Sequence, residues 1–124
     1  MKAYYESTVL RAGEEAEIMI DGGVVILYAD PIPDALEDVS VVHGPGRGPD
    51  REIRVGDVFV LGEHRVELTA VGERADENLR TLGHIVVYVN PEEGTALLPG
   101  AVQGRGSIAV PAVGTVLSLQ GSTS

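Results

Sequence analysis

Three side chains in this sequence can do nucleophilic or acid–base chemistry near neutral pH: His43, His64 and His84. His43 ends the apolar run Ser40-Val-Val-His43, and the next seven residues, Gly44-Pro-Gly-Arg-Gly-Pro-Asp50, include five that are Gly or Pro. An imidazole is a competent nucleophile, and a glycine-rich backbone beside it can offer N–H groups to an anion, so the pair outlines a phosphoryl-accepting site. On that reading Gly44 and Gly46 bind the phosphoryl oxygens, and Arg47 or Arg51 could clamp them with a guanidinium fork. The plainer reading makes His43 a hydrogen-bonded structural residue and the two arginines solvated loop charges. His84, directly after Gly83, could orient the acceptor or donate to a phosphoryl oxygen, whereas His64 reads as a half-exposed strand residue. The Gly44 to Gly48 pattern is not a P-loop, since it lacks the Lys-Ser/Thr ending and opens no helix. The histidine spacing matches no short zinc motif, so no metal is expected.

These residues need elements to hold them. The densest signals lie between Leu61 and Tyr88. His64 to Val71 alternates Val66, Leu68 and Ala70 with polar neighbours, the period of a half-buried strand. Ala75 to Leu82 opens with acids and stops at Gly83, which predicts a short helix with Leu79 and Leu82 inward and Gly83 in the left-handed position after it. Ile85 to Val89 is an apolar run rich in β-branched residues and bounded by Asn90-Pro91, as in a buried strand. Earlier, Tyr4 to Leu10 reads as a first strand. Glu17 to Ile20 and Val24 to Tyr28 read as a hairpin turning at Asp21-Gly-Gly23, with Val24 to Leu27 central in the sheet. A helical turn or two is expected within Pro31 to Asp38. Further strands are expected at Arg51 to Arg54, Val58 to Leu61, Ala96 to Leu98, Ile108 to Val110 and Thr115 to Leu119. Residues 120–124 read as a frayed tail.

At 124 residues the chain is most economically one domain. Sixteen glycines and seven prolines between short β-branched runs favour strands and turns, so the expected fold is mostly β: a single-domain β-barrel or strongly curved sheet with one or two short helices. Nineteen acids against nine bases give a formal charge of −10, which argues against nucleic acid as partner and for a basic protein. The absence of cysteine excludes disulfides, thiolate zinc sites and a cysteine nucleophile. The N-terminus lacks a signal-peptide apolar core and no run reaches membrane-spanning length, so the expectation is a cytoplasmic protein that does not itself span a membrane.

The wording LGEHRVELTAVG, from Leu61 to Gly72, and ENLRTLGH, from Glu77 to His84, resembles the glucitol/sorbitol-specific enzyme IIA of the bacterial phosphotransferase system. The likeness extends over most of the chain, through YYESTVLRAG at Tyr4 to Gly13, VVHG at Val41 to Gly44, PGAV at Pro99 to Val102 and GTVLSL at Gly114 to Leu119. The resemblance implies that His43 stands at the family's phosphorylated histidine, with His84 and the backbone near Gly44 in support. It further implies a relay in which the phosphocarrier HPr phosphorylates enzyme IIA, and the group passes to a cysteine of the matching enzyme IIB and so, through the IIB/IIC transporter, to a sugar alcohol. No metal or dissociable cofactor is needed for that relay. Self-association as a homo-oligomer stays open. The rival expectation is a non-catalytic β-barrel that binds or regulates and only keeps the family fold.

Overall fold

Strands that alternate apolar and polar side chains can bury one whole face, and leave no unpaired edge, if their sheet closes on itself. The computed structural model describes residues 2–121 and has this closure. Its strands are β1 (Lys2–Ala12), β2 (Val24–Ala29), β3 (Val41–His43), β4 (Val58–Leu61), β5 (His64–Val71), β6 (Ile85–Val89), β7 (Ala101–Gly106) and β8 (Val116–Gly121). They pair in the order β1-β3-β2-β6-β7-β5-β4-β8, and β8 returns to β1 to complete a barrel. Two short α-helices, α1 (Ala16–Asp21) and α2 (Ala75–Leu82), and a 3-10 helix (Asp34–Val39) lie in the connections. The mostly β, single-domain barrel expected from composition is the fold observed.

Val25 and Leu27 of β2, Ile85 and Val87 of β6, Val66 and Leu68 of β5, and Leu117 and Leu119 of β8 converge on Phe59 to fill the barrel. Phe59 is 2% exposed, and burying a ring of that size contributes roughly 2–3 kcal/mol. Most neighbours are antiparallel, but β2 with β3 and β6 with β7 are parallel. The 3-10 helix lies in the connection that carries the chain from β2 back to a parallel start in β3. Val41, Val42 and His43 of β3 are all buried, so this strand lacks the alternation of its neighbours.

Several local expectations are corrected. Residues 17–20 are not a strand but part of α1, because Ala16 and Ile20, four apart, share one buried face while Ile18 is 69% exposed. Gly22 and Gly23 then form the exit of that helix, and Gly23 takes a positive φ of 87°. Leu82 is 45% exposed, so of the two leucines expected inward on α2 only Leu79 is buried. Arg51 to Arg54, Ala96 to Leu98 and Ile108 to Val110 are irregular, and the strand of that last region is β7, 101–106. Its Ala-Val-Gln-Gly-Arg-Gly has weak strand propensity; tertiary pairing holds it, since a Cβ on Gly104 would collide with the Glu67 carbonyl and Val66 of the adjacent β5. Gln120 and Gly121, expected in a frayed tail, end β8 against β1, and residues 122–124 lie outside the described residues.

Candidate functional site

His43 is the last residue of β3, pairing with Ala29 of β2 on one side and Val9 of β1 on the other. Its ring points into the barrel, where it meets the apolar lining of Leu27, Phe59 and Leu117, and the Tyr5 ring stands edge-on with centroids 6.3 Å apart. The residue is 0% exposed. Both ring nitrogens face oxygen. Nε2 lies 2.7 Å from the Gly83 carbonyl; Nδ1 lies 2.9 Å from the Gly44 carbonyl and 3.0 Å from Ser7 Oγ. Burial pushes the imidazole pKa below its ordinary value, and the two carbonyl contacts oppose that shift without cancelling it. A neutral ring carries one N–H, so it can satisfy only one of the two carbonyls at a time.

The carbonyl on Nε2 is placed by the end of α2. Gly83 takes φ 63°, ψ 26°, its N–H donates to Leu79 O and the His84 N–H donates to Asn78 O, closing the helix as the glycine at that position predicts. A Cβ on Gly83 would collide with Ala29 Cβ and stand 3.2 Å from His43 Cε1, so the approach of helix end to imidazole requires glycine. Gly83 also lines a surface cleft of about 620 Å³, whose walls include Tyr5, Tyr28, Asp30, Pro31, Gly46, Arg80 and Leu82. Ser7 and Gly44, on the Nδ1 side, do not line it. Arg80 is the single cation among the lining residues, and its guanidinium rests 2.9 Å from Asp76 one turn back on α2.

The other expected site residues are distributed unevenly. His84 is next to Gly83 in the chain, but its ring stacks on Tyr28 at 4.6 Å, with Nδ1 2.8 Å from the Leu27 carbonyl. Leu27 and His43 point inward while Tyr28 projects outward, so the His43 and His84 rings lie on opposite faces of the sheet. The Gly44 N–H does not face the cleft: it donates to Thr8 O, because the chain after β3 continues to pair with β1. Arg47 is likewise bridged to Glu6 through its backbone, and its side chain joins none of the ion pairs among the described residues. Gly46 does line the cleft, flat against the Tyr5 ring. Arg51 is not available as a clamp, being paired to Asp57 at 2.8 Å. His64 sits at the turn between β4 and β5, with Nδ1 3.1 Å from Ser107 Oγ, away from this cleft. Among the described residues no three His, Cys, Asp or Glu side chains converge as a metal site would need.

The sequence pattern of the family described as the PTS system glucitol/sorbitol-specific IIA component matches residues 4–118. The chain belongs to this family. Glucitol/sorbitol-specific EIIA components of Shigella flexneri and of Escherichia coli K12 are each 32% identical to it over 108 residues, spanning 87% of this chain and 86% of theirs. The crystal structure of a PTS system IIA component from Enterococcus faecalis V583 superposes with a TM-score of 0.74 over 94% of this chain and 99% of that one, at 19% identity, and so shares the fold. The protein is therefore a glucitol/sorbitol-type IIA member, a component of a phosphotransferase system. Among its described residues no helix is long and apolar enough to cross a membrane.

In this IIA chain His43 stands out by residue type, but its surroundings do not. Ser7 looks like any polar strand residue, and only the pairing of β1 with β3 brings it to the ring. Gly83 was legible as a helix end, although nothing local indicates that its carbonyl reaches His43.

Proposed function

We propose that this protein carries a phosphoryl group on His43, accepting it from HPr and passing it to a cysteine of enzyme IIB during sugar-alcohol uptake. The observation that carries the reading is the contact of the buried His43 ring with Gly83, a residue that lines the cleft. The ring's Nε2 lies 2.7 Å from the carbonyl of Gly83, and its Nδ1 contacts Gly44 and Ser7, which do not line the cleft. Nε2 is then the accepting atom. For it to react, the Gly83 carbonyl must turn aside and the ring proton must reside on Nδ1, donated to Gly44 O. The donor's N–P bond breaks as the bond to Nε2 forms, and the donor's ring regains its lone pair; with the proton already on Nδ1, none need be released. Arg80 at the cleft wall offsets phosphoryl charge once it exchanges its Asp76 partner for the phosphoryl group, and Asp30 together with a net charge of −10 favours a basic docking face on the partner. Such docking is fast, weak and salt-sensitive.

Intact-mass spectrometry at mildly alkaline pH, after incubation with phosphoenolpyruvate, enzyme I and HPr, tests this. Wild type is expected to gain one acid-labile phosphoryl group, and His43→Ala none. Gain by both proteins would move the acceptor elsewhere, His84 first. The full burial of His43 favours one rival, a barrel in which the histidine is purely structural and the protein binds or regulates; no gain by wild type with a cognate HPr would put that reading first.

A further inference from the structure

We infer that Ser7 is a positioning residue whose hydroxyl, by rotating, lets His43 hold its proton on either ring nitrogen, so that the site can pass between a closed and a phosphoryl-accepting form. The inference rests on the reading of His43 as acceptor for its consequence, but not for its physical core. That core is a mismatch. Gly83 O and Gly44 O accept hydrogen bonds only, and a neutral imidazole between them must turn a lone pair toward one of them.

Among the described residues, Ser7 is the one hydrogen-bonding partner of the ring that can both donate and accept. It is 6% exposed, on β1, with Oγ 3.0 Å from His43 Nδ1 and 2.7 Å from Gly44 O. Among the described residues the Nε2 edge faces only an acceptor, Gly83 O at the shorter distance of 2.7 Å, which favours the proton on Nε2 at rest. Nδ1 then needs a donor, and the Ser7 O–H turns to it. When the Gly83 carbonyl moves off, the proton belongs on Nδ1, where Gly44 O at 2.9 Å accepts it. The Ser7 O–H now turns to Gly44 O, and Ser7 Oγ can share the Nδ1 proton. Gly44 O has two lone pairs and can receive both bonds. An alanine at this position cannot donate to Nδ1 in the first arrangement, and in the second it leaves the Nδ1 proton, which gains positive charge as Nε2 bonds phosphorus, on Gly44 O alone; a threonine can make both arrangements in full.

The test compares wild type, Ser7→Ala and Ser7→Thr by ¹⁵N NMR of the His43 ring and by the initial rate of phosphoryl gain from phospho-HPr, with the melting temperature as a control for folding. Resting wild type at pH 8 is expected to show a protonated Nε2 and an Nδ1 shifted by an accepted hydrogen bond. In Ser7→Ala that Nδ1 signature is lost and the rate falls about tenfold, equivalent to about 1.4 kcal/mol; Ser7→Thr restores the signature and comes within about threefold of the wild-type rate. The inference is overturned if resting wild type carries its proton on Nδ1, which needs no variant to fold. It is overturned equally if Ser7→Ala keeps the wild-type ring spectrum, whatever its rate. Should wild type gain no phosphoryl group while the ring spectra change as expected, the phosphotransfer reading fails and the positioning of the ring proton stands.

Discussion

Asp57 and His43 are both nearly lost to solvent, 3% and 0% exposed, and their surroundings treat them in opposite ways. Asp57 is met by donors on every side. Arg51 forks onto it at 2.8 and 3.0 Å, the Tyr4 hydroxyl donates at 2.8 Å and the Arg54 N–H at 2.9 Å. The guanidinium also lies 4.1 Å over the Tyr4 ring. His43 is met by acceptors, two carbonyls and one adaptable hydroxyl, and by no opposite charge. A fully matched buried charge locks a structure, because any rearrangement strands it. A buried base whose contacts cannot all be satisfied at once has a small gap between alternative arrangements. The first fastens the loop after His43 to the barrel, and the second leaves a group free to change its proton and its partners.

The sharpest way to break this contrast is to remove the carboxylate that defines the locked side. Asp57→Ala orphans the Tyr4 hydroxyl and strips Arg51 of its partner, and losing one member of a buried pair costs about 3 kcal/mol when the remaining charge can still reach water, as Arg51 can with 24% of its side chain exposed. The expected result is a fall in Tm of roughly 10 °C by calorimetry. Phosphoryl gain, measured where the variant remains folded, should stay within about twofold of wild type. A variant as stable as wild type would mean that the knot carries no weight. Loss of phosphoryl gain in a folded variant would mean that the two regions are coupled, and the contrast would fail.

Gly83→Ala probes the other side with a smaller effect. The left-handed φ of 63° costs a non-glycine residue about 1–2 kcal/mol, and the added Cβ collides with Ala29 while pressing on His43 Cε1. A loss of about 2 kcal/mol by denaturant titration is expected, together with displaced His43 ring resonances by NMR. Displacement is the informative part: an unmoved ring would show that the helix end and the imidazole are not in the tight register that sets the Gly83 carbonyl against Nε2.

How far such contrasts could be read from the sequence depends on the range of the interaction. The α2 helix and its glycine stop were legible because acids, leucines and Gly83 act within one turn of each other. His43 was legible as a residue type beside a glycine-rich loop and through the family wording around it. Its burial was not, because that arises when β1, β2 and α2, distant in the chain, close around β3. The expectation that Gly44 would offer N–H groups failed for the same reason: continued pairing with β1 uses that N–H on Thr8 and turns the Gly44 carbonyl toward the ring. Residues 17–20 went astray on a short-range ambiguity, since four residues of Glu-Ile-Met-Ile fit either period and only the burial of Ala16 with Ile20 decides between them.

The mildest perturbation is pH, and it separates the two regions by where each responds. His43 has a folded pKa below the 6.5 of a free imidazole because burial disfavours its cation more than the Gly83 and Gly44 carbonyls favour it. Between those two values the unfolded chain binds more protons than the folded one, so stability falls as pH falls, by at most about 1.4 kcal/mol per pH unit for one group. Asp57 also has a depressed pKa, below 3.8: burial alone would raise it, and the Arg51 fork, Tyr4 and the Arg54 N–H together outweigh burial. Its contribution is complete above about 3.8 and is lost as pH falls through the folded value. Unfolding free energy measured from pH 8 to pH 3 should therefore decline in two stages, and His43→Ala should flatten the part just below pH 6.5 while leaving the acidic part in place. An unchanged slope in that variant would mean that His43 takes up its proton in the folded state as readily as in the unfolded one. Below pH 6.5 the two carbonyls would then be holding an imidazolium, both nitrogens would be donors, and the ring would have to lose a proton before it could attack phosphorus.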